Sequence, residues 1–256
     1  MTPPPALLER FGATRPRLVA DTAAARVWRV ETAAGAAALK VWDRGDPGNE
    51  AAGIGWMRDH PGPVAGVRDT APGAVLLEWL DGPSLGDLAR AGRAAEADDR
   101  LADMARALHA APPPVAGLPD VARWFADLPG TGPLAPFRDR AARLSEGAPR
   151  RALHGDLHHD NVRRGARGWT AFDAKGVAGP LPYELANALR HPKGVRRADP
   201  ARLAARAATF GAAVGVGPTV MLDWAAVKCA LSLAWTGARD DDPDWRTLAQ
   251  IEAARG

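Results

Sequence analysis

Residues 153–176 read LHGDLHHDNVRRGARGWTAFDAKG, and three of the chain's six histidines and one of its three asparagines fall at positions 154–161. Short apolar segments around Val162 and at 169–172 flank a Gly-containing turn, which predicts a loop, a strand, a tight turn, a return strand and a final acidic loop. In that hairpin Asn161 starts one strand and Asp173 ends the other, so the two meet at one end beside Asp156. Two carboxylates and an amide present hard oxygen donors, suited to Mg²⁺ that shares its coordination sphere with water and phosphate oxygens. Asp156, the third group, is left to orient a hydroxyl and accept its proton. Phosphoryl transfer needs this arrangement, because the protein mainly positions the reactants and neutralises charge.

The elements that must hold this segment divide the chain in two. Residues 1–80 read as a strand-rich lobe and 81–256 as a helical one. Val27 to Val30 and GAAALKVW at 35–42 flank a turn-like Thr-Ala-Ala, giving a hairpin with Lys40 on one face and Leu39 and Val41 on the other. A third strand at 74–80 stops at Asp81-Gly82-Pro83, and a helix is expected over 49–60 with Asp46 or Asn49 as its cap. Beyond residue 84, Leu101, Met104, Ala105 and Leu108 recur at helical spacing. Further helices are expected at 120–127, 137–144, 182–190, 200–213, 218–235 and after Pro243. The fold class is α+β, a small sheet lobe joined to a larger helical lobe with a polar insert.

Composition removes several alternatives. One cysteine, Cys229, permits no intrachain disulfide. A net charge of +3 would tolerate a polyanion, but the arginines are scattered among acids, so nucleic acid is not expected as a partner. The longest mostly apolar stretch, 225–235, is about half of the ~20 residues that span a bilayer and contains Lys228. The start of the sequence lacks a basic segment followed by an apolar one. A cytoplasmic protein without membrane contact is expected. Lysine is rare, only Lys40, Lys175, Lys193 and Lys228 among 33 basic residues, and asparagine is limited to Asn49, Asn161 and Asn187. Those rare types mark positions that resisted a drift toward arginine and alanine.

His154-Gly155-Asp156, with Asn161 five residues beyond the aspartate and then Asp173, resembles the catalytic and metal loops of the aminoglycoside phosphotransferases, relatives of the protein kinases. HGDLHHDN, a Gly-Trp strand, Asp-x-Lys-Gly and then Tyr183-Glu184-x-Ala186-Asn187-x-Leu189 are most similar to the streptomycin 6-kinase and hydroxyurea phosphotransferase branch. The resemblance extends over nearly the whole chain and implies a two-lobed protein-kinase-like fold using ATP and Mg²⁺. It implies that Asp156 is the catalytic base, Asn161 and Asp173 the metal ligands, and His154 a scaffold of the loop. Lys40 matches the strand lysine that holds the α- and β-phosphates, Glu50 its helix partner, and Glu78-Trp79-Leu80 the hinge that binds adenine. No glycine-rich loop precedes Val27, and hydroxyl and backbone donors of the segment at 21–26 would have to cover the phosphates.

Each of these residues also has a plainer reading. Lys40 alone is a snorkelling strand lysine, Glu50 alone a solvated helix residue, and Lys175 either reaches phosphate or faces water. His158 and His159 are loop-packing or substrate-side residues. The histidine cluster could instead bind zinc, although its His-x-Asp-x-His-His-Asp order departs from the His-x-His-x-Asp-His of metallo-β-lactamase-like hydrolases. For the acceptor, Asp240, Asp241, Asp242 and Asp244 after Trp235 would attract a cationic aminoglycoside, or else form a solvated loop capping the last helix. Trp124, Tyr183 and Glu184 are acceptor-cleft candidates or packing residues. The expected activity is transfer from ATP to a small-molecule hydroxyl, streptomycin first. Hydroxyurea or another metabolite is the competitor, and a nucleotide-binding protein without transfer is the second class.

Overall fold

The computed structural model describes residues 2–22, 24–42, 50–195 and 200–256. Helix α1 (Pro5–Arg10) leads into β1 (Thr14–Asp21), the hairpin β2 (Arg26–Thr32) and β3 (Gly35–Val41), helix α2 (Glu50–Asp59), and the hairpin β4 (Val67–Ala71) and β5 (Ala74–Glu78). The strands form one antiparallel sheet in the order β1-β2-β3-β5-β4. Alternation along β3 sends Ala37, Leu39 and Val41 into a core with Trp28, Val30, Leu76 and Phe11 and leaves Ala38 and Lys40 on the opposite face. That second face of the sheet looks onto the helical part. The sequence pattern contained β2, β3, α2 and β5 but not β1 and β4. Both lie at sheet edges with no fully buried residue, so neither shows the apolar alternation that marks a half-buried strand. The expected caps Asp46 and Asn49 lie outside the described residues.

After the turn at Asp81-Gly82-Pro83, α3 (Leu85–Arg90) starts with a reciprocal cap: Asp87 N–H donates to Ser84 Oγ at 3.0 Å and Ser84 N–H to Asp87 Oδ2 at 2.9 Å. Then come α4 (Ala94–Ala110), α5 (Ala122–Phe125), α6 (Ala135–Ser145), the short strands β6 (Arg150–Leu153), β7 (Val162–Gly165), β8 (Gly168–Ala171) and β9 (Val177–Pro180), and α7 (Pro200–Val214), α8 (Pro218–Trp235) and α9 (Asp244–Arg255). The core of this part includes Leu101, Leu108, Phe210, Trp224 and Leu231. No single helix of the described residues is long and apolar enough to cross a membrane.

Two details position the insert. Strands β6 and β9 pair antiparallel with Leu153 opposite Val177, so the loops that leave their ends, at 154–161 and 172–176, start side by side. No sequence pattern marks this pair, because each strand is only four residues long. Second, α2 lies backbone to backbone on the 174–176 segment. A Cβ on Gly53 would sit 1.8 Å from the Ala174 carbonyl oxygen, and one on Gly176, at φ +61°, would sit 2.4 Å from that of Ala52. The continuous helix expected over 182–190 is instead two 3₁₀ turns, Leu181–Leu185 and Ala188–Arg190. Glu184, in the first turn, and Asn187, in the break between the two, reach different atoms of the 154–156 loop.

Candidate active site

The 154–156 loop is held from below by one carboxylate. Glu184 is 1% exposed, and it accepts the backbone N–H of His154 and of Gly155, each at 3.0 Å, together with His109 Nε2–H at 2.9 Å. Burial alone would raise the Glu184 pKa, but the hydrogen bond and charge of His109, with His154 and the Gly155 N–H, outweigh it and hold the group below the usual carboxylate range. Proposed from sequence as an acceptor contact, Glu184 is placed under the loop with its oxygens already engaged. His154 contacts the Phe172 carbonyl through Nε2 at 3.0 Å and packs edge-on against Trp56. It ties the loop to the segment between β8 and Asp173.

Asp156 is half-buried, and its Oδ1 accepts Asn187 Nδ2–H at 2.8 Å. Asn187 is itself fixed by Arg190 Nη1 at 2.8 Å, and Arg190 pairs with Asp244 of α9. Burial opposes ionisation of Asp156, but the charge of Lys228 first, and that of Lys175, holds its pKa below the ordinary value. It is therefore a carboxylate at neutral pH with one oxygen oriented and one left for a hydroxyl. His158 lies 3.9 Å from its Oδ2 and, chiefly through burial, is pushed down to about 3, so it is neutral. Asn161 closes the loop by donating Nδ2–H to the Asp156 carbonyl at 3.0 Å, which leaves its amide oxygen available.

Lys40 Nζ donates to Glu50 Oε2 at 2.7 Å and to Asp173 Oδ1 at 2.5 Å, and Lys175 Nζ donates to the other Glu50 oxygen at 2.5 Å. Strand β3, the first residue of α2 and the 173–175 segment are thus joined by two cations and two carboxylates. Asp173 sits at φ +63°, and despite burial the charges of Lys40 and Lys175 bring its pKa to about 2. The backbone N–H of Phe172 bonds the Asn161 carbonyl at 3.0 Å, which brings the two presumptive oxygen donors, Asn161 and Asp173, to the same end of the β7–β8 hairpin. An amide oxygen, a carboxylate ionised at any working pH and a rim open to water make a donor set that fits Mg²⁺.

Lys40, Glu50, Asp173 and Lys175 line a cleft of about 470 Å³ between the sheet and the helical part. Ala25, Val27, Ala38, Val75 and Leu77 form its apolar walls, and Trp79 and Leu80, just past the end of β5, also line it. The Glu78 carboxylate accepts from Arg167 at 2.6 Å and from the Gly66 N–H at 3.0 Å. It therefore fixes the chain crossing between the two parts. In the β1–β2 turn Thr22 Oγ1 donates to the Ala25 carbonyl at 2.8 Å and accepts the Ala25 N–H at 3.0 Å, so a hydroxyl-braced turn stands where a glycine-rich loop was not found.

A second hollow, of about 400 Å³, opens on the other side of Asp156 and is lined by Trp124, Asn187, Lys193, Lys228, Ser232 and Trp235, among others. Lys228, Ser232 and Trp235 stand on one face of α8 by their spacing. Of the acceptor candidates, Trp124 and Trp235 are here, with ring centroids 5.9 Å apart. Asp240 and Asp241 are exposed and outside the hollow. Their neighbour Asp242 instead accepts the Thr236 hydroxyl at 2.6 Å and the Asp244 N–H at 2.9 Å, which caps α9. Sequence reasoning passed over Lys228 and Asn187. Both are rare residue types in this chain, and Lys228 interrupts an otherwise apolar helix, which was the available signal.

The remaining histidines have structural partners. His159 is fully buried and contacts Asp98 at 2.8 Å, and Arg206 holds both oxygens of that aspartate. His158 and His191 stack at 3.9 Å beside Asp160. Arg90 already donates to Asp160 at 2.7 Å, which places a cation where the zinc reading would need another.

Residues 10–241 match the model of a family described as aminoglycoside/hydroxyurea antibiotic resistance kinase. Streptomycin 3''-kinase of Klebsiella pneumoniae is 37% identical over 187 residues, which are 67% of this chain and 69% of that protein. Hydroxyurea phosphotransferase of Kitasatospora aureofaciens is 43% identical over 79 residues, 29% of this chain and 22% of that protein. Among solved structures, aminoglycoside phosphotransferase APH(4)-Ia, in a ternary complex with ADP and hygromycin B, superposes with a TM-score of 0.65 at 16% identity, covering 98% of this chain and 96% of that one. An ethanolamine kinase of Plasmodium vivax gives 0.62 at 10% identity, covering 94% and 82%. At these identities the structures establish the kinase-like fold.

Proposed function

Because the chain belongs to the aminoglycoside/hydroxyurea antibiotic resistance kinase family, we propose that it transfers the γ-phosphoryl group of ATP to a hydroxyl of a small molecule bound on the far side of Asp156. The observation that carries this reading is that two hollows adjoin, with Glu50 and Lys175 in the linings of both. The first is also lined by Lys40 and Asp173, and the second by Asp156, Trp124, Lys228 and Trp235. Adenine would lie between the apolar walls with its edge toward the backbone at Trp79 and Leu80, and Lys40 would hold the α- and β-phosphates. Asn161 and Asp173 would hold Mg²⁺, which supplies charge neutralisation on the phosphates. The ionised Asp156 orients the acceptor O–H and takes its proton as the oxygen bonds to the γ-phosphorus. The bond from that phosphorus to the β–γ bridging oxygen breaks, and ADP leaves.

The relatives' names make streptomycin and hydroxyurea the first acceptors to assay. The streptomycin relative is named for its 3'' position, so the site of modification has to be read from the product. A cytoplasmic location fits the supply of ATP. The test is acceptor-dependent ADP release over aminoglycosides, hydroxyurea, sugars and amino alcohols, with mass spectrometry of each product. At least one acceptor is expected to gain one phosphoryl group, and ATP hydrolysis that ignores every acceptor would refute the proposal.

A further inference from the structure

Among the described residues Lys228 has no hydrogen-bonding or ion-pair partner, and the opposite charge acting on it is that of Asp156. Lys228 is 6% exposed. Its ammonium lies 5.1 Å from the ring centroid of Trp124, 5.0 Å from that of Trp235 and 5.8 Å from that of Tyr183. No hydrogen bond or ion pair joins it to any described residue. Three aromatic faces partly offset the loss of water around an ammonium, but they satisfy none of its three N–H donors. Lys228 lines the hollow beside Asp156, where a bound group could accept from those donors. Burial, opposed in part by the charge of Asp156, brings the Lys228 pKa down to about 8, so at neutral pH it keeps its proton.

The other charges around the hollow are spoken for. Lys175 is paired with Glu50, Arg190 with Asp244, and both Glu50 oxygens are taken by lysines. Lys193, exposed at the rim, adds a second positive group. Among the described residues that line the hollow, Asp156 is the one carboxylate not paired with a cation. A polycation entering here would meet two ammonium groups and one carboxylate, whereas an anionic oxygen group would complete the shell of Lys228.

We propose that Lys228, set among Trp124, Tyr183 and Trp235, is an acceptor subsite for an anionic oxygen group, a carboxylate or a phosphate ester, carried close to the hydroxyl that is phosphorylated. This rests on the kinase reading and narrows its acceptor to hydroxylated acids or phosphate esters, with polycationic aminoglycosides disfavoured. The rings would set the ammonium and stack on the acceptor, and the charge would set its register relative to Asp156.

The experiment pairs acceptors that share a skeleton: glucose with gluconate and with glucose 6-phosphate, and streptomycin as the polycation. Wild type, Lys228→Met and Lys228→Arg are compared by kcat/KM and, independently of turnover, by calorimetric binding of each compound to the ADP-loaded protein. Met fits the apolar cage, and Arg restores the charge. Anionic members are expected to bind wild type about 10- to 100-fold more tightly than their neutral partner, as one close charge contact at an intermediate dielectric permits. Lys228→Met should erase that difference and Lys228→Arg should recover part of it, with affinity for ADP unchanged. The two anionic arms distinguish a carboxylate from a phosphate ester. Preferential binding of streptomycin by wild type, or an anionic preference that survives in Lys228→Met, overturns the subsite while leaving the kinase reading intact. Anionic binding that depends on Lys228 without phosphate transfer to any compound would uphold the subsite and count against the kinase reading instead.

Discussion

Replacing Glu184 by Gln tests whether the 154–156 loop is held by a buried carboxylate. The wild-type group accepts three hydrogen bonds at 2.9 to 3.0 Å. In the variant the amide oxygen can still accept from His154 N–H and His109, but the amide nitrogen then faces the Gly155 N–H, donor against donor. One buried N–H left without a partner costs about 1–3 kcal/mol, and the loss of charge assistance in the other two bonds adds about 1 kcal/mol. A total of roughly 2–4 kcal/mol corresponds to a Tm lower by about 5–15 °C in a chain of this size. Moving Asp156 by about 1 Å would lower kcat on the order of 100-fold. The assays are thermal unfolding and steady-state kinetics with both substrates varied. The pH dependence gives an internal check. The Glu184 pKa is depressed on folding, so its contribution is present above the ordinary carboxylate pKa and is lost as pH falls through the folded value. The Tm gap between Glu184→Gln and wild type should therefore narrow in acid. A variant with wild-type Tm and kcat but a raised acceptor KM would show that Glu184 contacts the acceptor, and would refute this reasoning.

Lys40→Ala removes the donor shared by Glu50 and Asp173, and should lower kcat/KM for ATP by at least about 100-fold with little change in acceptor binding, as measured by initial rates and ADP titration. Asp98→Asn breaks a buried group bonded to His159 and Arg206, and a loss of about 3–5 kcal/mol in denaturant unfolding is expected because Arg206 is left without its counter-charge. Gly53→Ala would drive a methyl into the Ala174 carbonyl, so it should disturb the 173–175 segment and raise KM for ATP, whereas the same change at Gly55, which has open space, should be neutral. Removing divalent cations with EDTA should abolish transfer, and added Mg²⁺ should restore it in wild type but not in Asp173→Ala.

What could be read from the sequence followed from local physics. The β2–β3 hairpin and α4 carry the period of their elements, β5 and α8 are apolar runs punctuated by Asp81-Gly82-Pro83 and Pro218, α2 is stopped by Pro61, and the 153–176 insert stood out because rare polar types cluster there. The edge strands β1 and β4 did not show, because an edge position removes the alternation that pattern reading needs. The break at Ala186 and Asn187 was hidden by a segment that looks helical in composition and is shaped instead by tertiary bonds from Glu184 and Asn187 to the loop. The roles of Glu184 and Lys228 depended on contacts 29 and 30 residues away for the first and on three aromatic rings from separate segments for the second. Glu184 has no local signature, and that of Lys228 is only a rare lysine in an apolar helix. The acidic run at 240–242 looked suited to a cation by charge alone, and only its position outside the hollow removes it.

The account turns on Asp156, and the direct measurement is phosphoryl transfer by Asp156→Asn beside its affinity for ADP. Asn is isosteric and can keep the contact with Asn187 through its oxygen, so folding and nucleotide binding should be preserved while transfer to the best acceptor falls on the order of 100- to 10,000-fold, the range for loss of a general base. Transfer at the wild-type rate by Asp156→Asn, with ADP bound as tightly as before, would contradict it.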